Sequence, residues 1–489
     1  MSYILSIDQS TSSTKGTLWN VSGQLVARED LAHRQIVSPE GWIGHDPEEI
    51  YANVLRVSSL VLERAGVQPR EVAAAGISNQ RETAVCWDRQ TGRPVCDAIV
   101  WQCARATDIV WDVREAGLEG DVLGRTGIPL SPYYSAAKFG WIMRHVPEAA
   151  GLMRQGRLCC GTVDSWLLFK LTGVHKTDYS NASRTQLLNI DTRSWDTDLA
   201  KAFGIDPGCL PEICQSDSLF GESDFGGLFP GKIPVHCMLG DSHAALFANG
   251  CTAPFTAKAT YGTGSSVMMN AGSARPKAGK GIAVSLAWGM GGQVDYVLEG
   301  NINYTGAVIK WLEKDVGLLE SGKQAGELAA SAGSSGGVYL VPAFSGLGAP
   351  YFNDRARAAI VGMNTSTGKA QIVRAAEESI AYQIRDVVET INQAIAQPLS
   401  VLRVDGGPTR DRFLMQFQAD LLQIPLEVNA VEELSAAGAA YGAAIGCGAA
   451  DREALFARRQ FTARTPQIER TESDRLYAGW KQAVSLINR

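Results

Sequence analysis

The chain has 489 residues, of which 45% are hydrophobic and 20% charged, and it contains 51 glycines. This composition is typical of a globular α/β protein and excludes a disordered or fibrous chain. The length exceeds what one ordinary core supports, so we predict two large domains. The net charge of −6 offers no positive field to nucleic acid or to an anionic membrane. A small-molecule substrate fits this charge better.

The cysteines and the N-terminus both indicate a cytoplasmic protein. The ten cysteines include no CxxC pair and no dense framework, which is typical of reduced thiols. The first eight residues enter a strand directly and lack the basic and long apolar segments of an export signal. The most apolar segment, 434–449, is shorter than the ~20 residues that a membrane-spanning helix needs. We therefore expect no export and no membrane association.

The first predicted strand, 3–7, leads into a turn at 8–16 that is rich in hydroxyl side chains, and the strand resumes at 17–19. Asp8 begins this turn and Lys15 lies near its end. Hydroxyls, backbone N–H groups and an acid together suit a phosphate and its Mg²⁺. A Ser/Thr-rich hairpin loop without such a role is also common, so the turn alone leaves both interpretations open.

A similar hairpin opens the second half of the chain. Residues 256–266 again carry hydroxyls and glycines, and the apolar run 267–269 follows them. Two such hairpins predict a duplicated domain whose phosphate loops face each other across a cleft. A strand at 402–404 then leads to Gly406 and Gly407, where a nucleotide can approach bare backbone. A tight turn without a ligand explains the two glycines equally well.

Asp241 lies near the midpoint of the chain, between an apolar run that ends at Leu239 and the small apolar residues 244–246. This pattern predicts that a strand ends and a helix begins at the acid. A carboxylate at that place gains from the helix N-terminus and faces the crevice where α/β sheets bind ligands. The position suits a catalytic base, although an Asp that only caps its helix would look the same.

Four further residues are candidates for the walls of a pocket. A buried strand at 72–78 is predicted to end just before Arg81 and Glu82. Neighbouring side chains of a regular strand point to opposite faces, so both line one pocket only if the backbone is irregular there. Trp101 follows a short strand and Tyr133 lies in a loop. Aromatic residues at such places more often pack than bind ligands.

Other segments are assigned a structural role. A helix is predicted to begin at Pro47, with Asp46 as its N-cap, and another is predicted over about 369–394. The polar loop 178–185 is likewise interpreted as structural.

Taken together, the motifs resemble the FGGY family of carbohydrate kinases, and within that family the members that phosphorylate glycerol. The resemblance covers nearly the whole chain, and its motifs are specific because they are many and occur in matching order. They are GWIGHDP (41–47), NQRET (79–83), AIVWQC (98–103), GD (240–241), TYGTG (260–264), FSGLGAPY (344–351) and RVDGG (403–407), while 133–145 fits a family signature.

The resemblance implies an α/β protein with two actin-like, ribonuclease-H-type domains and an interdomain cleft where ATP and the acceptor meet. The expected domains are 1–249, with the acceptor site and the catalytic base, and 250–489, with the nucleotide site. The implied activity is ATP-dependent phosphorylation of a primary hydroxyl of a small polyol, such as glycerol to glycerol 3-phosphate. A cytoplasmic homodimer or homotetramer is also expected.

By position, the resemblance makes Asp241 the general base and Asp8 a ligand of Mg²⁺. The residues that it assigns to the acceptor are Arg81, Glu82, Trp101, Tyr133, Asp241, Ser242 and Ser266. The residues that it assigns to ATP are Ser12, Ser13, Thr14, Lys15, Thr263, Gly306, Lys310, Gly407 and Asp411.

Five departures from the family pattern concern the two ligands, and one of them is Lys15, which stands where the family usually has Arg. Members that phosphorylate glycerol carry Gln where this chain has Ser242 and Phe where it has Ser266. Both changes enlarge the pocket and make it more polar, so the alternative acceptor is a longer polyol or a ketose: erythritol, threitol, xylitol, xylulose or ribulose. One lost apolar contact changes discrimination by only ~1–3 kcal/mol, so glycerol stays a candidate. Lys310 and Asp411 replace Gln and Asn, and ATP is still expected.

A distant alternative is an actin-like ATPase without a metabolic substrate. Such a protein would have no use for the acceptor residues Arg81, Glu82, Trp101 and Tyr133.

Overall fold

The computed structural model describes residues 2–277 and 281–488. Their strands are β1 (Tyr3–Gln9), β2 (Ser13–Asn20), β3 (Leu25–Ala32), β4 (Ile36–Val37), β5 (Ile43–His45), β6 (Val72–Asn79), β7 (Val85–Asp88), β8 (Ala98–Ile99), β9 (Leu158–Gly161), β10 (Lys176–Asp178), β11 (Leu188–Asn189), β12 (Ser194–Trp195), β13 (Glu212–Cys214), β14 (Gly221–Ser223), β15 (Ile233–Gly240), β16 (Ala257–Tyr261), β17 (Ser265–Gly272), β18 (Ala283–Met290), β19 (Gln293–Ile302), β20 (Tyr339–Val341), β21 (Ala359–Val361), β22 (Leu402–Asp405), β23 (Leu426–Asn429) and β24 (Phe461–Arg464).

The α-helices of the same residues are α1 (Pro47–Ala65), α2 (Thr107–Glu115), α3 (Glu119–Thr126), α4 (Ser135–His145), α5 (Pro147–Arg154), α6 (Val163–Thr172), α7 (Tyr179–Ala182), α8 (Thr197–Ala202), α9 (Asp241–Ala248), α10 (Gly306–Lys314), α11 (Ala325–Ser331), α12 (Lys369–Ile395), α13 (Arg412–Leu422), α14 (Leu434–Gly446), α15 (Arg452–Ala457) and α16 (Arg470–Ile487). Within this described part of the chain, no helix is both long and apolar enough to cross a bilayer.

Two large sheets repeat the same strand order. The first has the order β3-β2-β1-β6-β15-β14. The second has the corresponding order β19-β17-β16-β22-β23-β24, with β18 as an additional edge strand beside β19. In each sheet three antiparallel strands, β1 to β3 or β16, β17 and β19, continue into two parallel strands. The repeat arises because both halves of the chain begin with the predicted hairpin.

The two hairpins bring their turns to the edges of a shared cleft. In the first hairpin Asp8 lies opposite Lys15, so the acid and the cation flank the turn between β1 and β2. In the second, Tyr261 pairs with Ser265 across the tight turn of Gly262, Thr263 and Gly264. The predicted strand at 402–404 is β22, and Gly406 after it has a φ of 99°, which favours glycine.

Helices α9 and α14 form a layer between the two sheets. One apolar cluster joins Ile4 of β1 and Met268 of β17 to both helices. The opposite face of the first sheet packs on α1, and that of the second packs on α12. A side chain at Gly438 of α14 would overlap the carbonyl oxygen of Ala244 in α9. The Ala- and Gly-rich segment 434–446 is therefore a closely packed internal helix.

The division of the chain at residue 249 stays a prediction. That residue follows α9 directly, but α14 belongs to the second half of the chain and packs on β1, β6 and β15 of the first sheet. A further apolar cluster, with Ile109 and Phe139 among its members, lies in the segment between β6 and β15. All ten cysteines are free thiols.

Candidate active site

Asp241 is the first residue of α9, directly after β15. Gly240 occupies the N-cap position and offers no capping side chain, so Asp241 is not the cap of this helix. Its Oδ1 accepts a hydrogen bond from the backbone N–H of Ser242 at 2.6 Å and lies 3.3 Å from Nε of Arg81. Burial raises the pKa of Asp241 above its ordinary value, while Arg81 and the Ser242 N–H favour the ionised form.

Arg81 and Glu82 face the same cleft because the backbone leaves the regular strand after Asn79. Glu82 has a φ of 60°, in the left-handed region. The irregular backbone predicted for this pair is therefore present. A side chain at Gly240 would press on the Arg81 side chain, so the glycine before Asp241 makes room for the arginine.

A buried ionic cluster supports Arg81 from behind. Nη1 and Nη2 of Arg81 donate to the two carboxylate oxygens of Glu299 at 3.1 and 2.8 Å. Arg184 donates from Nε to Glu82 at 2.6 Å and also pairs with Glu299 at 2.9 Å. Burial alone would raise the pKa of Glu299, but Arg184 and Arg81 hold it well below its usual value. Ser266 donates to Glu299 as well, at 3.2 Å.

Sequence reasoning missed Arg184 and Glu299. Arg184 lies in the polar loop that was interpreted as structural, and Glu299 lies inside the apolar strand β19. A charged residue in the middle of a buried strand is the signal that could have found Glu299, because an isolated buried charge is too costly to keep.

The seven residues assigned to the acceptor line one cleft of about 650 Å³. Trp101 donates from Nε1 to the hydroxyl of Thr11 at 2.9 Å, and its ring contacts that of Tyr133 edge to face at 5.5 Å. The same cleft is also lined by polar residues that the sequence analysis did not single out: Gln102, Asn301, Asn303 and Ser345.

A smaller cavity of about 220 Å³ adjoins this cleft, and Asp241 and Ser242 border both. Asp8 opens onto the small cavity and accepts a hydrogen bond from Ser78 at 3.0 Å. Burial raises the pKa of Asp8, while Lys15, 3.5 Å away, lowers it. Lys258, which the sequence analysis also missed, is fully buried and donates to Thr260 at 2.7 Å.

The remaining residues at the turns of the two hairpins differ in exposure. Thr263 lies in the wall of the large cleft. Ser12 is exposed, Ser13 contacts Ser10, and Thr14 is fully buried in β2. These three residues lie at the predicted turn, but they do not border the cavities described here. Within residues 2–277 and 281–488, no group of three or more His, Cys, Asp or Glu side chains forms a metal site.

A third cavity, of about 610 Å³, contains the other residues assigned to ATP: Gly306, Lys310, Gly407 and Asp411. The backbone N–H of Gly306 donates to the carbonyl oxygen of Gly262 at 2.9 Å, which connects this cavity to the turn between β16 and β17. Asp411 is the N-cap of α13, and its Oδ1 accepts from the N–H of Leu414 at 3.0 Å. One oxygen of Asp411 is thus engaged within the protein.

Glu377 of α12 borders the same cavity and was also missed by the sequence analysis. Its side chain is 3% exposed, and Oε2 has no hydrogen-bond partner among the described residues. Burial, reinforced by the charge of Asp411, raises the pKa of Glu377 to about 8.

The raised pKa predicts a pH-dependent effect of Glu377→Gln on stability. Between the ordinary pKa of Glu and about pH 8, the folded state keeps a proton that the unfolded state releases, so rising pH favours unfolding. Gln does not titrate. We therefore compare the unfolding free energies of Glu377→Gln and the wild type in urea. Their difference is expected to favour the variant more at pH 8 than at pH 5. Glu327→Gln, a change at an exposed residue, is the control. If the difference between Glu377→Gln and the wild type is the same at both pH values, the prediction is wrong.

Family models match most of the chain. The N-terminal domain of the FGGY family of carbohydrate kinases matches residues 3–248, and its C-terminal domain matches 257–447. The chain belongs to this family. Glycerol kinase 1 of Thermotoga maritima is 44% identical over 99% of both chains. The resemblance described from the motifs is confirmed.

Solved structures confirm the two-domain FGGY fold. The crystal structure of Plasmodium falciparum glycerol kinase with ADP superposes with a TM-score of 0.93 at 32% identity, covering 100% of this chain and 98% of that one. A ligand-bound xylulose kinase from Lactobacillus acidophilus has a TM-score of 0.88 at 20% identity, covering 99% of both chains, and this likeness concerns the fold alone. The predicted α/β fold with two actin-like domains is therefore correct.

Proposed function

We propose that this FGGY kinase transfers the γ-phosphoryl group of ATP to a primary hydroxyl of glycerol, forming glycerol 3-phosphate. The observation that carries the proposal is the position of Asp241, which borders both the acceptor cleft and the cavity of Asp8. A general base is needed between an acceptor and a phosphate site. The identity to the Thermotoga enzyme supports glycerol, and the likeness to the ADP-bound Plasmodium enzyme supports the nucleotide.

In the proposed mechanism, Asp241 accepts the proton of the attacking hydroxyl. The bond from that oxygen to phosphorus forms as the bond between phosphorus and the leaving oxygen of ADP breaks. Arg81 orients the carboxylate of Asp241 from 3.3 Å and favours its ionised form. Arg81 and Glu82 offer polar groups to the acceptor hydroxyls, and Trp101 and Tyr133 provide an aromatic wall for its carbon chain.

The residues present fit a phosphate-bound Mg²⁺. Asp8 is a buried carboxylate that opens onto a small cavity, and Mg²⁺ in such sites uses one or two carboxylates together with phosphate oxygens and water. We infer that Asp8 would hold the ion, which when bound neutralises charge on the phosphate oxygens. Lys15 and the turn of Thr263 are proposed to meet the phosphates. Ser12, Ser13 and Thr14 border neither cavity, so a phosphate contact of these three residues rests on the family resemblance alone.

The rest of the nucleotide is proposed to occupy the 610 Å³ cavity. Gly306 and Gly407 let it approach the backbone, and Lys310 and Asp411 border it. The actin-like ATPase without an acceptor is disfavoured, because the chain belongs to a family of carbohydrate kinases and has a polar cleft beside Asp241.

A second candidate acceptor is a four- or five-carbon polyol or a ketose. Ser266 contributes only a hydroxyl to the cleft and donates it to Glu299, and Asn301, Asn303 and Ser345 extend the polar wall beyond it. These groups offer partners to hydroxyls that glycerol lacks.

An acceptor panel distinguishes the two candidates. With Mg-ATP, glycerol is expected to give the highest kcat/KM among glycerol, erythritol, threitol, xylitol, ribitol, dihydroxyacetone, xylulose and ribulose. ADP release is measured, with Asp241→Asn as the blank. A longer acceptor that exceeds glycerol by about tenfold or more would instead establish the second candidate. Ser266→Phe is the matched variant, and it should impair longer acceptors more than glycerol.

We also propose that the protein acts in the cytoplasm as a homodimer or homotetramer. The ten free thiols support a reducing compartment, and the family resemblance supports the assembly. Light scattering on the purified protein measures the number of subunits.

A further inference from the structure

The Glu377 carboxyl is a buried polar group that has no hydrogen-bond partner in the part of the chain that the structure describes. Glu377 lies one turn before Ile380 on the same face of α12, and both border the 610 Å³ cavity. No hydrogen bond to the Glu377 side chain is formed within the described residues, and Oε2 is completely enclosed. A buried polar atom without a partner destabilises the fold, so such a group needs an explanation.

Among the described residues, the charged side chains around Glu377 do not form an ion pair with its carboxyl group. The neighbouring Arg374 pairs with Glu378 at 2.7 Å, and the charge that acts most on Glu377 is the like charge of Asp411. The cations of the cavity, Lys310, Lys323 and Arg410, are exposed at its rim. The carboxyl therefore borders the cavity without a counter-ion among the described residues.

The shape and chemistry of the cavity indicate the missing partner. Ile309, Ile380 and Leu414 are buried apolar residues of its wall, and such side chains suit the faces of a flat heterocycle. Gly306 connects this cavity to the turn of Gly262 and Thr263, where the phosphates are proposed to bind. The base of a nucleotide would then reach the apolar end, where Glu377 is the buried polar side chain.

We infer that Glu377 determines the choice of nucleotide base by accepting a hydrogen bond from the exocyclic amino group of adenine. This inference rests on the proposed function, which places ATP in this cavity. With its pKa raised to about 8, the carboxyl is protonated at neutral pH. A protonated carboxyl still has a carbonyl oxygen, and that oxygen is the acceptor for the amino group.

Calorimetric binding of ADP and of purine riboside 5′-diphosphate, which lacks the amino group, tests this inference at pH 7. The wild type is expected to bind ADP about tenfold more tightly than the analogue, the ratio that one hydrogen bond supports. Glu377→Leu should bind ADP and the analogue with similar affinity. Glu377→Gln keeps a carbonyl acceptor and should retain part of the preference. Glu389→Gln, an exposed change on the same helix, is the charge control and should leave the ratio unchanged.

Two results would overturn the inference: a wild type without preference for ADP, or a Glu377→Leu variant that retains it. A third arm uses 2′-deoxy-ADP. If Glu377→Leu removed discrimination against that nucleotide instead, Glu377 would contact the ribose and the inference would be wrong.

The proposed function and this inference are tested independently. Glu377-dependent discrimination without phosphorylation of any polyol would contradict only the function. Polyol phosphorylation with an ADP preference that does not depend on Glu377 would contradict only the inference. Glu377→Gln, which is close in shape to Glu377, keeps the test valid if Glu377→Leu does not fold.

Discussion

Replacing Asp241 with Asn is expected to lower kcat for polyol phosphorylation by about 10²- to 10⁴-fold, the usual contribution of a general base. The amide keeps the shape of the side chain but cannot take the proton of the hydroxyl. The fold should persist, because Arg81 keeps its two hydrogen bonds to Glu299 when the charge of Asp241 is lost. KM for the acceptor should change much less than kcat.

The measurement is the phosphorylated product rather than ADP alone, so that hydrolysis of ATP is not counted as transfer. Asp315→Asn is the matched control, because Asp315 is exposed at the end of α10 and undergoes the same charge change. An Asp241→Asn enzyme that kept more than about a tenth of the wild-type kcat would show that another group takes the proton.

Replacing Glu299 with Gln is expected to cost about 3–5 kcal/mol of unfolding free energy, as is typical when one partner of a buried ion pair is removed. The side chains of Glu299, Arg184 and Arg81 are 0%, 1% and 6% exposed, so water cannot replace the lost charge. Both arginines would keep their charge beside a neutral amide. Since Arg81 also orients Asp241, kcat should fall together with stability.

Urea unfolding followed by fluorescence measures this loss. Glu472→Gln removes an exposed partner of Arg475 and should leave the midpoint nearly unchanged, because surface ion pairs contribute little. Equal midpoints for Glu299→Gln and the wild type would mean that the cluster does not stabilise the fold. A lower kcat with an unchanged urea midpoint would mean that Glu299 positions Arg81 but does not stabilise the fold.

Local patterns were enough to predict the elements that carry the site. The helix from Pro47 and the strand at 402–404 are present as α1 and β22, and the helix predicted over 369–394 is α12. Capping residues, proline positions and short apolar runs act over a few neighbouring residues, so a sequence displays them directly. The order of the motifs along the chain also identifies the family from the sequence alone.

The site residues that the sequence analysis missed depend on contacts between distant parts of the chain. Arg81 and Glu299 are 218 residues apart and meet only because β19 and the end of β6 face one cleft. Nothing near Glu299 in the sequence identifies its partner. Glu377 was missed for a related reason: a glutamate within a long helix is normally on the solvent face.

The sequence by itself determined the duplicated hairpins, the strand-to-helix position of Asp241 and the family, because turn chemistry and hydrophobic periodicity are local properties. Tertiary structure alone decided which charges are buried, which of them are paired and which cavities adjoin. Those properties follow from how α9 and α14 pack between the two sheets, and close packing depends on the shapes of side chains from many segments at once.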